Sequence, residues 1–124
     1  MKKILIVDDS LFMRKILKEI LAKGYEIVEA DSGTKALEQF GKERPDIVLL
    51  DIIMPGGTEA GLGVLQRIMK SNPEAKVIMI TAIGQDSTIK QCKKLGAKDY
   101  IVKPFDEKLV VETVQKYSNT DSRG

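Results

Sequence analysis

Three aspartates raise the first chemical question in this sequence. Asp8 and Asp9 close the apolar run in "ILIVDDS", and Asp51 closes another in "PDIVLLDIIMP". Neighbouring carboxylates repel, and each loses hydration as a site dries, so such a group needs a cation. Two further runs end in groups that suit this need: Thr81 in "VIMITA" and Lys103 in "YIVKP". The acids suit an oxygen cage for a divalent ion, completed by water and a backbone carbonyl. Lys103 offsets charge at Asp51, and Thr81 donates to an incoming anion. A carboxylate beside such an ion is a nucleophile toward phosphorus. Any one of these residues alone is ordinarily a cap, a structural hydroxyl or a solvated charge. Four strand ends with compatible groups carry the reading together.

Composition narrows the chemistry. The 124 residues contain no histidine and one cysteine, Cys92. That excludes a Ser-His-Asp or Cys-His nucleophile, a phosphohistidine of the chain's own and an internal disulfide. It also excludes most zinc and iron sites and leaves hard ions bound by oxygen: Mg²⁺, Mn²⁺ or Ca²⁺. A net charge of +2 is too balanced to argue for nucleic acid or an acidic membrane. No apolar run is long enough to span a bilayer, and no signal-peptide core is present. A lone cysteine fits a reducing, cytoplasmic setting.

The groups must be positioned by elements far apart in the chain. Apolar runs at 4–7, 27–28, 47–50, 77–80 and 100–102 alternate with segments of helical period. The unalternated four-residue runs suit strands covered on both faces. The second and fifth runs are short and flanked by charge, as edges of a parallel sheet would be. The first helix has Ser10 as N-cap, Phe12, Ile16, Ile20 and Leu21 as its inner stripe, and Gly24 at its end. The second starts at Asp31 or Ser32 with Ala36, Leu37 and Phe40 inward. Val64, Leu65, Ile68 and Met69 line the third, which stops at Asn72–Pro73. Ser87 is the expected cap of the fourth, with Ile89 and Cys92 inside and Gly96 after it. Asp106 caps the fifth, with Leu109, Val110 and Val114 inward. This is an α/β, (βα)₅ pattern, a three-layer sandwich. Right-handed crossovers with the short strands at the edges predict sheet order 2-1-3-4-5, the flavodoxin-like arrangement. Its crevice lies at the C-terminal ends of strands one and three. One domain over 1–118 and a tail over 119–124 are expected.

With these motifs in place, the chain resembles the receiver domains of two-component response regulators. "ILIVDDS", "PDIVLLDIIMP", "VIMITA" and "GAKDYIVKPF" carry the resemblance, which covers nearly the whole chain. It implies phosphorylation of Asp51 by a phosphohistidine on a separate sensor histidine kinase. It implies Mg²⁺ held by Asp8, Asp9, Asp51 and the carbonyl of Ile53, with Thr81 and Lys103 on the phosphoryl oxygens. It also implies a cis Lys103–Pro104 bond. "DDSLFMRK" and the absence of an output domain resemble the chemotaxis type of single-domain regulator, in which Tyr100 stands at the switch position beside Thr81. Downstream, the resemblance implies a protein target such as a flagellar motor switch component. That target would bind the face of helix four, strand five and helix five of a monomer or weak dimer. Such a chain is no general enzyme and catalyses only its own phosphorylation and dephosphorylation.

One departure concerns the segment after Asp51. "MPGGTEAGLG" is longer than the family pattern by about two residues and richer in glycine, which permits unusual φ. A longer loop over 56–63 is expected, with Glu59 a solvated loop acid. Ile53 and Ile83 occupy positions where relatives carry water-orienting side chains, so slow self-dephosphorylation is expected. Lys90, Lys93, Lys94 and Lys98 form either a solvated face or a dock for an acidic partner. Among rival classes, an FMN protein needs a Ser/Thr/Gly loop where Asp8 and Asp9 stand. An aspartyl phosphatase needs Asp-x-Asp there. A receiver cut from a longer regulator, or a phosphorelay intermediate, remains the main alternative.

Overall fold

The computed structural model describes residues 1–119, the side chain of Thr58 excepted. Five strands and five helices alternate: β1 (Lys3–Val7), α1 (Leu11–Leu21), β2 (Glu26–Ala30), α2 (Gly33–Glu43), β3 (Ile47–Leu50), α3 (Thr58–Ser71), β4 (Val77–Thr81), α4 (Asp86–Lys94), β5 (Asp99–Val102) and α5 (Glu107–Ser118). All pairings are parallel, in the order β2-β1-β3-β4-β5. The (βα)₅ expectation and its edges hold. The tail expected from 119 falls, from 120 onward, outside the described residues.

Alternation along each strand splits the core in two. Leu5, Val7, Val48, Leu50, Val77 and Met79 face α2, α3 and α4, where Ala36, Leu65, Ile68 and Cys92 meet them. Ile4, Ile6, Ile47, Leu49, Ile78 and Ile80 face the other way, against Leu17 and Leu21 of α1 and Val110 and Val114 of α5. Hence the three inner strands are apolar throughout except at their ends, where Lys3 opens β1 and Thr81 closes β4. Each buried Leu or Ile side chain contributes roughly 1.5–3 kcal/mol.

Register then aligns the strand ends. Val7 pairs with Leu50 and Thr81 with Val102, which sets Asp8 beside Asp51 and Lys103 just past Thr81. Ser10, Ser32 and Asp106 cap their helices as expected, each accepting from a backbone N–H three residues on.

Some local expectations are corrected. Phe12 is 72% exposed, because the buried stripe of α1 runs through Met13, Leu17, Ile20 and Leu21. Leu109 is 44% exposed, and the inner face of α5 uses Thr113 instead. Gln85, not Ser87, precedes α4 and makes no side-chain cap bond. The helix α1 ends at Leu21, so Gly24 lies in the following turn. The segment 56–63 is mostly not a loop. Gly56 and Gly57 take φ of 101° and 86°, and Gly57 N–H donates to Met54 O at 2.8 Å. That tight turn lets α3 begin at Thr58, so the extra length becomes helix. Gly61 then sits against β3's extension: a Cβ there would meet Ile52 O at 2.1 Å.

At the opposite end of the sheet α5 is anchored. Lys2 Nζ donates to Ser118 O and Lys76 Nζ to Tyr117 O, both carbonyls of its last turn. The Tyr25 hydroxyl pairs with Ser118 Oγ at 3.0 Å.

Candidate functional site

The rim at the C-terminal ends of β1, β3, β4 and β5 gathers the candidates. Asp8 follows β1 and donates its N–H to Ala30 O; Asp51 follows β3 and donates its N–H to Val7 O. These bonds extend the parallel ladder by one residue and fix both Cα atoms. Asp8 is 1% and Asp51 4% exposed. Lys103 Nζ lies between them, 2.7 Å from Asp8 Oδ2 and 2.9 Å from Asp51 Oδ2. The other oxygens are also engaged: Ser10 N–H donates to Asp8 Oδ1 and Ile53 N–H to Asp51 Oδ1, both at 2.9 Å. Lys103 N–H donates to Thr81 O at 2.8 Å, tying the lysine to β4. The Lys103–Pro104 peptide is cis, as expected.

Electrostatics follow from this burial. Desolvation pushes the Asp8 carboxyl above the usual range, against the opposing pull of the Lys103 and Ser10 hydrogen bonds. For Lys103 burial works to lower the pKa, but the hydrogen bonds and charges of Asp8 and Asp51 together outweigh it and raise it. The lysine is therefore charged, and one ammonium serves two buried carboxylates.

Thr81 is wholly buried, and its hydroxyl has no hydrogen-bond partner among the described residues. Next to it stands Ala82, exposed and with only a methyl side chain. Tyr100, half-buried on β5, donates its hydroxyl to the carbonyl of Ile83, two residues past Thr81. Burial pushes this phenol up to about 12. Asp9 is exposed, and its carboxylate makes no hydrogen bond or ion pair among the described residues. Consecutive residues at a strand end point apart, so Asp8 and Asp51 share the Lys103 ammonium while Asp9 is exposed. No group of three acids is gathered at ligating distance among the described residues. Ile53 presents a 44% exposed apolar side chain at the rim, and Ile83 is half-buried.

The donor set fits Mg²⁺: it is all oxygen, and Asp8, Asp9 and Asp51 outweigh the single ammonium of Lys103. Each engaged carboxylate oxygen holds one hydrogen bond and keeps a lone pair.

Two residues escaped the sequence reading. Arg14, on α1, donates through Nη1 to Asp8 O at 2.7 Å and through Nε to Glu29 Oε1 at 3.0 Å. Only its place one turn after Ser10, facing β1, hinted at this. Gly61 was visible in "AGLG" as a helix-period position without a side chain, but its close approach to Ile52 was not.

A five-stranded parallel sheet in this order, with two buried aspartates clasping a lysine beside a threonine, defines a receiver-type phosphoacceptor fold. The family model for the response regulator receiver domain matches residues 4–115, and the chain belongs to that family. It is 46% identical over 119 residues to the chemotaxis protein CheY of Thermotoga maritima, covering 94% of this chain and 98% of that one. It is 41% identical over 117 residues to the sporulation initiation phosphotransferase F of Bacillus subtilis, covering 94% and 93% of the two chains. Among solved structures, the CheX–CheY–BeF₃–Mg²⁺ complex of Borrelia burgdorferi contains a chain 37% identical to this one. The match has a TM-score of 0.89 and covers 96% of this chain and 90% of that one.

Proposed function

We propose that this receiver accepts a phosphoryl group on Asp51 from the phosphohistidine of a sensor kinase and so changes its affinity for a downstream protein. One observation carries the reading: Asp51 is buried at a strand end against Lys103 and Asp8, and the buried Thr81 hydroxyl that ends the neighbouring strand has no partner among the described residues. A carboxylate oxygen of Asp51 attacks phosphorus, the P–N bond breaks, and the imidazole leaves with the bonding pair. Lys103 and the Thr81 hydroxyl receive the oxygens, supplying charge and a donor where negative charge accumulates. Asp8, Asp9, Asp51 and the carbonyl of Ile53 would hold Mg²⁺, which neutralises charge on the phosphoryl group. The chain then turns over no substrate but its own phosphoryl group.

The added phosphoryl carries up to about two negative charges, enough to draw Thr81 toward it. Thr81 and Tyr100 are joined through the β4–α4 loop, since Tyr100 grips Ile83 O. A shift at Thr81 therefore biases the packing of Tyr100 and the face of α4, β5 and α5. The CheY relatives favour a chemotaxis target such as a motor-switch component. The phosphotransferase relative favours a second reading, a relay intermediate that passes the phosphoryl group onward. A cytoplasmic setting suits both: among the described residues no helix is long and apolar enough to cross a membrane, and Cys92 is a buried free thiol.

Labelling with radioactive acetyl phosphate and Mg²⁺ tests the site. The wild type takes up label and Asp51→Asn does not; label retained in the variant refutes Asp51 as acceptor.

A further inference from the structure

The β1–α1 connection holds Asp8 and Asp9, and its conformation decides where the exposed Asp9 carboxylate points. Asp8 is tied at its N–H and at both carboxylate oxygens. Its carbonyl oxygen belongs to the Asp8–Asp9 peptide, and Arg14 Nη1 donates to it at 2.7 Å. Rotation of that plane would swing Asp9 about the end of β1, and the guanidinium resists it. Arg14 is itself held: its side chain is 13% exposed, and Nε pairs with Glu29 Oε1 of β2 at 3.0 Å. Lys18 approaches the other oxygen of Glu29 at 3.8 Å.

We infer that Arg14 and Glu29 are a positioning pair for the Mg²⁺ site, acting through the Asp8–Asp9 peptide. This rests on the receiver reading above. The pair solves two problems together. A planar guanidinium has donors in a fixed fork, so it can lock a carbonyl and a carboxylate at once, which an ammonium cannot. A bare cation beside the pocket would also repel a divalent ion, and the Glu29 carboxylate cancels that charge. Groups that orient metal ligands without touching the metal typically change affinity by about 10–100-fold when removed.

The test is an NMR titration of each protein with MgCl₂, following amide shifts near Asp9 and Asp51, with a thermal melt alongside. Arg14→Ala is expected to weaken Mg²⁺ binding at least about tenfold while remaining folded, at low and high salt alike. Arg14→Lys recovers only part of the loss, since one ammonium does not span both partners. Glu29→Gln keeps an acceptor but exposes the charge of Arg14, so its weakening shows at low salt and fades at high salt. Wild-type binding with an unchanged Mg²⁺ affinity in Arg14→Ala overturns the inference, even if the melt falls, because that is a purely structural role. Should Arg14→Ala fail to fold, Glu29→Gln decides, and unchanged affinity at low salt overturns it. A wild type that binds no Mg²⁺ overturns the receiver reading and this inference together.

Discussion

A buried hydroxyl with no partner costs roughly 1–3 kcal/mol, and Thr81 carries one among the described residues. Valine has nearly the same shape and no such group. Thr81→Val is therefore expected to raise the melting temperature of the unphosphorylated protein by about 3–15 °C while slowing acceptance of the phosphoryl group. A variant that melts at or below the wild type refutes the idea that this residue sacrifices stability for chemistry. Tyr100 gives the pH signature. Its phenol ionises only at about 12 because burial disfavours the phenolate. The unfolded chain releases that proton near the ordinary value of about 10, so stability falls as pH rises from about 10 to 12. Ultraviolet titration should show one tyrosine ionising at about 12, and Tyr100→Phe should remove that step; Tyr117, also raised by burial and by Asp99, keeps its own.

Helix α3 shows what an element demands of single residues. Gly61 lies where a Cβ would meet the backbone oxygen of Ile52 at 2.1 Å, and Gly63 has nothing within 4 Å. Gly61→Ala forces α3 away from the segment that carries Asp51 and should cost about 1–3 kcal/mol or more. Gly63→Ala only removes helical entropy loss and should stabilise by about 0.5–1 kcal/mol. Denaturant melts of the two variants that moved in the same direction would refute this account. Strand identity and order were legible because Leu49, Ile78 and their neighbours form runs with no polar residue, and charge marks the edges. Asp51, Thr81 and Lys103 were legible because each closes such a run. Phe12 misled because periodicity tells which residues share a stripe but not where the stripe's edge meets the sheet. The turn at Gly56 and Gly57 was not legible, since glycine spacing does not separate a longer loop from a tight turn that starts a helix early. Arg14 was hidden because its partners, Asp8 O and Glu29, come together only through strand pairing.

At the scale of the molecule, one end of the sheet carries the chemistry and the flank of α4, β5 and α5 offers a surface. That flank exposes Lys90, Lys93, Lys94 and Lys98, with Val102 and Leu109 as apolar points. A target with an acidic, partly apolar helix would suit it. Beryllofluoride with Mg²⁺ should tighten binding of a motor-switch peptide by at least about tenfold, the usual scale of such coupling. Calorimetry showing equal affinity with and without the mimic would refute the switch. The lysine clamp on the last turn of α5, formed by Lys2 and Lys76, lies at the far pole from Asp51. A fluorophore or surface tether attached beyond Ser118 would thus hang from a firmly moored point remote from the acceptor. Single-molecule readings of partner capture could then be made on a protein whose working end stays unobstructed.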